Sequence, residues 1–488
     1  MFTDKQKILG IYCFSAAFLI FVIFCVVKEI HWMPIAIPVL IGVACLYFFA
    51  LEKVLLIITF LTPLSISMNI EEFGITASVP DEPMLLIYTF IILLKILYDH
   101  KFDKDILKHP VSICVIISLV WYFITCITSE MPIVSFKHLL AQIWFIIPCF
   151  FIATKIFKSQ ENINKYQWAY IIAMTFVVIY TIIHHSQYGF SKRASFWAMK
   201  PFFPEHTSYG AIVVFILPFL LFYTFDKTYP KNKRLISLGI TVIILLGTIF
   251  SYTRAAWVSG IAALMVFILF KLRVKMRYIV ITGSAVLALF FAFQDQILLQ
   301  LSRNNQNSSQ DLVEHLKSAT NISTDASNLE RINRWQSAIR MFEERPVFGW
   351  GPGTYQFVYA PFQLAKDKTI SSTNAGDKGN AHSEYLGPLA ERGLLGMITT
   401  IILFIAIIAT ANRVYWKSSH KFDKNMALCC MLALLTYMIH GIMNNYLDID
   451  KAAVIFWLNA AIVVSLDIKY RNESKQLSKN NQEPSEQC

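Results

Sequence analysis

The feature that most constrains this chain is a series of continuous apolar runs, each near the roughly 20 residues a helix needs to cross a bilayer. About fourteen are read, at 8–27, 33–50, 53–68, 83–98, 110–128, 138–157, 165–184, 207–225, 234–250, 253–271, 277–295, 393–412, 425–442 and 452–468. The runs are not the short alternating segments of a membrane barrel, so the lipid-satisfied element they predict is the helix. The expected fold class is an all-α polytopic membrane protein of about 12–14 transmembrane helices, with one large, partly helical loop on the outside. Composition agrees: 15% of the 488 residues are charged, against about 25% in soluble domains.

Charge placement gives an orientation. With the first residues inside, the inner loops hold Lys101, Lys104 and Lys108; Lys155 and Lys158; Lys227 to Arg234; Lys271 to Arg277; Arg413 to Lys424; and the tail after Lys469. The short outer loops are poorer in Lys and Arg, as the positive-inside rule requires. The net charge of +11 is therefore mainly topological. No basic run is interleaved with base-stacking aromatics, and no nucleic-acid partner is expected. The first run lacks a small-residue cleavage site before Lys28, which predicts an uncleaved helix. The nine cysteines fall mostly inside runs with no CxxC pair, so neither disulfides nor zinc is expected.

Two outer segments depart from plain membrane helix. The smaller, 186–210, carries Lys192, Arg193, Lys200 and His206 among aromatics. The larger runs from about 295 to 392, a length that is usually functional. Its stretch 302–328 is rich in Asn, Ser, Gln and Asp. Beyond it, Ile332, Trp335, Ile339 and Phe342 recur at helical spacing, and Ser327 or Asn328 caps the predicted helix. Pro346 ends it, and Gly-Trp-Gly-Pro-Gly at 349–353 turns the chain. No strand precedes those glycines and no P-loop lysine follows, which disfavours nucleotide binding. Elsewhere, Arg254 stands between two apolar runs, and His382 lies just ahead of another.

Each of these residues has a bland reading: an interfacial anchor for Arg254, a solvated helix face for Arg331, a wetted helix start for His382. Two arginines and a histidine on one side of the membrane also suit a phosphate-bearing lipid substrate. Arginine binds phosphate oxygens bidentately and stays charged when desolvated, and a histidine takes a proton from a hydroxyl nucleophile. No Asp-x-Asp motif is read on the outside to hold Mg²⁺, so a metal-free mechanism with no cofactor is expected.

Three pieces, in order, carry a family resemblance: TRAAW at 253–257, NLERINRWQSAIRMFEERPVFGWGPGTY at 328–355, and AHSEYLGPLAERGLLG at 381–396. Over roughly 207–445 the chain resembles the O-antigen ligase and O-antigen polymerase superfamily of bacterial envelope glycosyltransferases. The resemblance implies about twelve spans, a location in the bacterial inner membrane and a site on the periplasmic face, with both termini cytoplasmic. It implies an undecaprenyl-diphosphate-linked glycan donor and inverting attack without metal. Arg254 and Arg331 match the family's two essential arginines, with Arg334 the other candidate for the second. His382 matches its essential histidine, and Glu384 and Tyr385 support it. Arg193 joins the candidate site by its side of the membrane. The family usually has Asn after the histidine; here Ser383 stands there.

The expected organisation is N-terminal helices 1–206, helices 207–295 carrying TRAAW, a periplasmic loop 296–392, C-terminal helices 393–470 and a polar tail 471–488. The leading expectation is an O-antigen ligase, with lipid A–core as acceptor. A polymerase, with a second lipid-linked repeat as acceptor, and a protein O-oligosaccharyltransferase stay open. So does a transporter for the lipid-linked glycan, which should carry charges mid-span along a path. The sugar, the acceptor and the oligomeric state are not set by the sequence.

Overall fold

The computed structural model describes residues 49–70, 75–99, 102–285, 326–365 and 379–480, with a few isolated positions before 49. The chain divides into two compact units, Met1–Ile57 and Ile58–Cys488. The described residues of the first are almost all helical. The second is a helical bundle with one small hairpin.

A helix α1 (Leu51–Leu61) leads through a short turn into strands β1 (Ile66–Ile70) and β2 (Ile75–Val79), which pair antiparallel with Ser67 opposite Ser78. The run expected at 53–68 is thus cut short. Pro63 breaks the helix, and Ile66 to Ile70 alternate with polar residues in the period of a strand. After α2 (Asp81–Asp99), nine helices among the described residues are long and apolar enough to cross a membrane. They are α3 (Pro110–Ile127), α4 (Pro132–Ile156), α5 (Gln160–Ser186), α6 (His206–Phe225), α7 (Lys231–Phe250), α8 (Arg254–Lys271), α10 (Leu386–Lys417), α11 (Lys421–His440) and α12 (Asp450–Asn480). Between α8 and α10 in sequence lies the polar helix α9 (Ala326–Glu344).

These nine coincide with expected runs from 110 onward, with α4 and α5 starting earlier than expected and α10 and α12 running well beyond their expected bounds. The expected runs at 8–27 and 33–50 lie almost wholly outside the described residues. Of the run at 277–295, only its first part is described, as helix. The polar stretch 302–325 also lies outside.

Local chemistry sets the helix starts. Pro110 follows His109, whose Nδ1 accepts from Val111 N at 3.2 Å. Ser159 Oγ accepts from Glu161 N at 3.2 Å to open α5. Helix α12 is buried along its whole apolar length and is the axis of the bundle, while α3, α7 and α8 turn Ile, Leu and Val outward. An outward apolar face of this kind belongs in lipid. At one end of the bundle, fully buried Asp467 ties three elements together. Arg413 donates twice to it at 2.7 Å, Arg471 lies 2.6 Å away, and His109 Nε2 stands 3.0 Å off. The candidate functional residues gather at the opposite end.

Candidate functional site

Four helix termini meet at that end: the starts of α6, α8 and α12 and the finish of α11. Thr253, at the head of α8, donates its hydroxyl to His206 O at 2.9 Å. A Cβ on Gly210 would meet Thr253 Cβ at 2.9 Å, so only glycine lets α8 lie this close to α6. Arg254 therefore starts its helix beside the start of His206's, half-buried.

Helix α9 lies across this end and grips the segment that carries His382. Arg334 is buried. Its Nε donates to Glu330 Oε1 at 2.9 Å, and a terminal nitrogen donates to Asn380 O at 3.1 Å. The next residue, Trp335, donates its indole N–H to His382 O at 3.3 Å. His382 N in turn donates to Asn380 Oδ1 at 3.1 Å. These bonds hold His382 at φ +48°, a left-handed conformation that costs a non-glycine residue about 1–3 kcal/mol. Strain over-determined by its surroundings points to a position the fold must keep.

His382 sits in a cationic field. Burial, then the charges of Arg334 and Arg331, hold its imidazole down to about 3, so at neutral pH it is uncharged. The same Arg331 guanidinium acts electrostatically on His206 and His440. Arg331 thus acts electrostatically on all three histidines, whereas Arg334, which acts on His382 as well, is paired with Glu330 and bonded to the main chain of Asn380.

The other expected residues fall into supporting places. Glu384 is buried. Its Oε1 accepts from Tyr446 N at 2.6 Å, from Leu447 N at 3.0 Å and from the Tyr437 hydroxyl. It thereby pins the turn between α11 and α12 to the His382 segment. Burial, with the Asp448 charge nearby, raises its carboxyl to about 7 against those hydrogen bonds. Tyr385 donates its hydroxyl to Met438 O at 3.0 Å, and burial raises that phenol to about 12. Ser383 Oγ accepts from Tyr385 N and Leu386 N, both at 3.3 Å, and so caps the entry into α10. Arg193 is exposed in a turn, and no hydrogen bond or ion pair joins it to the cluster among the described residues.

The glycine-rich turn is a joint. Gly349 has φ +67°, and a Cβ there would strike the main chain of Glu391. Gly393, also at φ +67°, puts a kink into α10 and faces Val347 O in the same way. Across this contact Trp350 N donates to Ala390 O at 3.1 Å, Gly351 N to Glu391 O at 2.8 Å and Leu394 N to Pro346 O at 2.9 Å.

Sequence reasoning missed His440, because nothing in a lone histidine at a span end sets it apart. It also missed His138 and Asp448, which approach within 3.2 Å from elements some 300 residues apart. The triplet Asp448-Ile449-Asp450, at the start of α12, is an Asp-x-Asp motif on the outer side and corrects the expectation that none is there. Its carboxylates have different partners: Asp448 faces His138 and Gln142, and Asp450 accepts from Ser65 at 2.6 Å and Lys451 at 3.0 Å. Among the described residues no group of three or more His, Cys, Asp or Glu is arranged to hold a metal ion.

Residues 239–401 match the family model described as O-antigen ligase. The match includes Arg254, Arg331, Arg334, His382, Glu384 and Tyr385 and leaves out Arg193. The chain is also 25% identical over 249 residues to a curated protein of Haemophilus influenzae described as uncharacterized, across 49% of this chain and 59% of that one. The chain thus spans about three fifths of the length of the curated relative it matches.

Proposed function

We propose that this chain, carrying an O-antigen ligase domain at 239–401, is an inner-membrane glycosyltransferase that moves a glycan from undecaprenyl diphosphate to lipid A–core. The observation that carries the proposal is a strained, half-buried His382 within the electrostatic reach of Arg334 and Arg331, at the end of the bundle where α8 begins at Arg254. In this reading Arg254 and Arg331 hold the donor diphosphate and offset the charge that grows on it as the glycosidic bond breaks. Arg334 positions the His382 segment through Asn380. His382 takes the proton of the acceptor hydroxyl, which attacks the anomeric carbon from the face opposite the leaving diphosphate and inverts it. The diphosphate departs still joined to the lipid.

The low basicity of His382 in the protein alone fits this order of events. With no anion present, two guanidinium groups disfavour an imidazolium. Burial is the larger cause and remains; a diphosphate bound between the arginines offsets the guanidinium part and raises the basicity of the histidine. The site lies on the periplasmic face, where a lipid-anchored diphosphate meets span ends.

Complementation of a deletion strain tests the proposal. Wild type should restore polymer on lipid A–core, and His382→Ala, Arg254→Ala and Arg331→Ala should leave bare core while lipid-linked polymer accumulates. Single repeats on core would instead identify a polymerase. Unchanged lipopolysaccharide in the deletion strain would refute the assignment of this acceptor.

A further inference from the structure

A cavity of about 380 Å³ opens beside the His382 segment but is lined by neither His382 nor Arg331. It runs from Asn380, Ala381 and Glu384 down between α3, α4, α10 and α12. Its size is in the range of small-molecule pockets, about 300–1,000 Å³. Two features show that it is built for something polar.

The first is an ordered wall of hydrogen-bonding groups. Asp448 Oδ1 receives Gln142 Nε2 at 3.2 Å and lies 3.2 Å from His138 Nε2. Asn445 Nδ2 donates to Asp448 Oδ2 at 3.3 Å, and the Tyr122 hydroxyl bonds to His138 Nδ1. Burial opposes ionisation of Asp448, yet the His138 ring beside it holds the carboxyl below the usual carboxylate range. His138 and Asp448 keep 23% and 45% of their side-chain surface open, and both line the cavity.

The second is a pair of unanswered groups on the same wall. Trp457 is 4% exposed, and its indole N–H has no hydrogen-bond partner among the described residues; neither has Asn445 Oδ1. A buried donor without a partner costs about 1–3 kcal/mol, so it is a feature that a ligand would relieve.

Charge selects the ligand class. The lining carboxylates Glu384, Glu391 and Asp448 disfavour a diphosphate there, and only Arg392, stacked 4.6 Å over the Tyr122 ring, is a permanent cation on the wall. What fits is an uncharged, hydroxyl-rich ring: planar amides and carboxylates pair with its hydroxyls, and Phe404 and Trp457 supply apolar lining for its C–H groups.

We propose that this cavity is a sugar subsite, holding one or two pyranose rings of a substrate glycan next to the His382 segment, with Trp457 Nε1 and the Asp448–Asn445–Gln142 wall as its donors and acceptors. The proposal rests on the glycosyltransferase reading above. The same chemistry serves a ring of the acceptor or of the donor, and the probes separate them.

The test uses full-length protein in nanodiscs, with core oligosaccharide and donor glycan, each freed from its lipid by mild acid, titrated by calorimetry. One of them should bind, and Trp457→Phe and Asp448→Asn should each weaken it about tenfold. Trp457→Phe removes an N–H that has no partner in the protein alone, so thermal stability should hold or rise; a merely structural tryptophan would give the opposite pair of results. Binding should survive His382→Ala. If neither oligosaccharide binds, or Trp457→Phe binds like wild type, the subsite is refuted. Transfer lost in His382→Ala would keep the glycosyltransferase reading even so, and transfer retained in that variant would sink that reading and leave the binding result standing.

Discussion

At the residue scale, the three expected basic residues of α9 and the His382 segment have separate work. Arg334 and Glu330 form a buried pair, and removing one partner strands the other charge. Arg334→Ala should therefore cost about 3–5 kcal/mol of stability, read as a large fall in melting temperature. Arg331 is only half-buried, and Arg331→Ala should lower transfer about 10²–10³-fold with a much smaller thermal effect. Equal thermal losses in both variants would contradict the division. His382→Gly should abolish transfer yet melt no lower than wild type, since glycine takes φ +48° without strain. Glu384 gives a pH signature. Its folded carboxyl sits at about 7, above its ordinary value of 4.5, so its stabilising contribution is full below 4.5 and is lost as pH rises through 7. Glu384→Gln keeps an acceptor oxygen and does not ionise. Relative to wild type it should gain melting temperature between pH 5 and 8, and a constant difference would refute the raised carboxyl.

At the element scale, the joint between the glycine-rich turn and α10 sets where the His382 segment can lie. Gly349 and Glu391 meet backbone to backbone, so Gly349→Ala faces both a disfavoured φ and a main-chain clash. We expect it to destabilise the fold and to displace His382, with transfer lost at reduced expression. A variant that folds and transfers normally would show the joint to be dispensable. This joint was half legible in the sequence. Pro346 and the glycines announced a turn, and the Ile332, Trp335 and Ile339 spacing announced α9. What they pack against was not legible, because the expected loop ends at 392 and the expected span begins at 393, where the structure has one helix kinked at Gly393. The run at 53–68 failed for a related reason: apolar content concealed the period-2 pattern of Ile66 to Ile70.

At the scale of the whole molecule, continuous apolar runs fixed the helices from 110 onward, because in lipid a backbone has few other ways to satisfy its polar groups. Arg331 and Arg334 were legible as neighbours on one predicted helix, whereas the placing of Trp335 against His382, 47 residues further along the chain, was not. Residues brought together from distant spans were not legible either: His138 and Asp448 form their pair only through the packing of α4 against the turn before α12. Sidedness follows from charge placement and is open to labelling. In a cysteine-free background, Arg193→Cys should react with an impermeant maleimide in intact spheroplasts, and Lys424→Cys should react only after lysis. The reverse pattern would put the site on the cytoplasmic face.

The most direct measurement is transfer by the purified protein in proteoliposomes holding lipid-linked glycan donor and lipid A–core, without nucleotide. Product and released undecaprenyl diphosphate would be followed together for wild type and His382→Ala. The account predicts glycan on lipid A–core with matching release of lipid diphosphate, both absent in the variant. Transfer by His382→Ala at the wild-type rate would contradict it, as would donor consumption with no glycan on the acceptor.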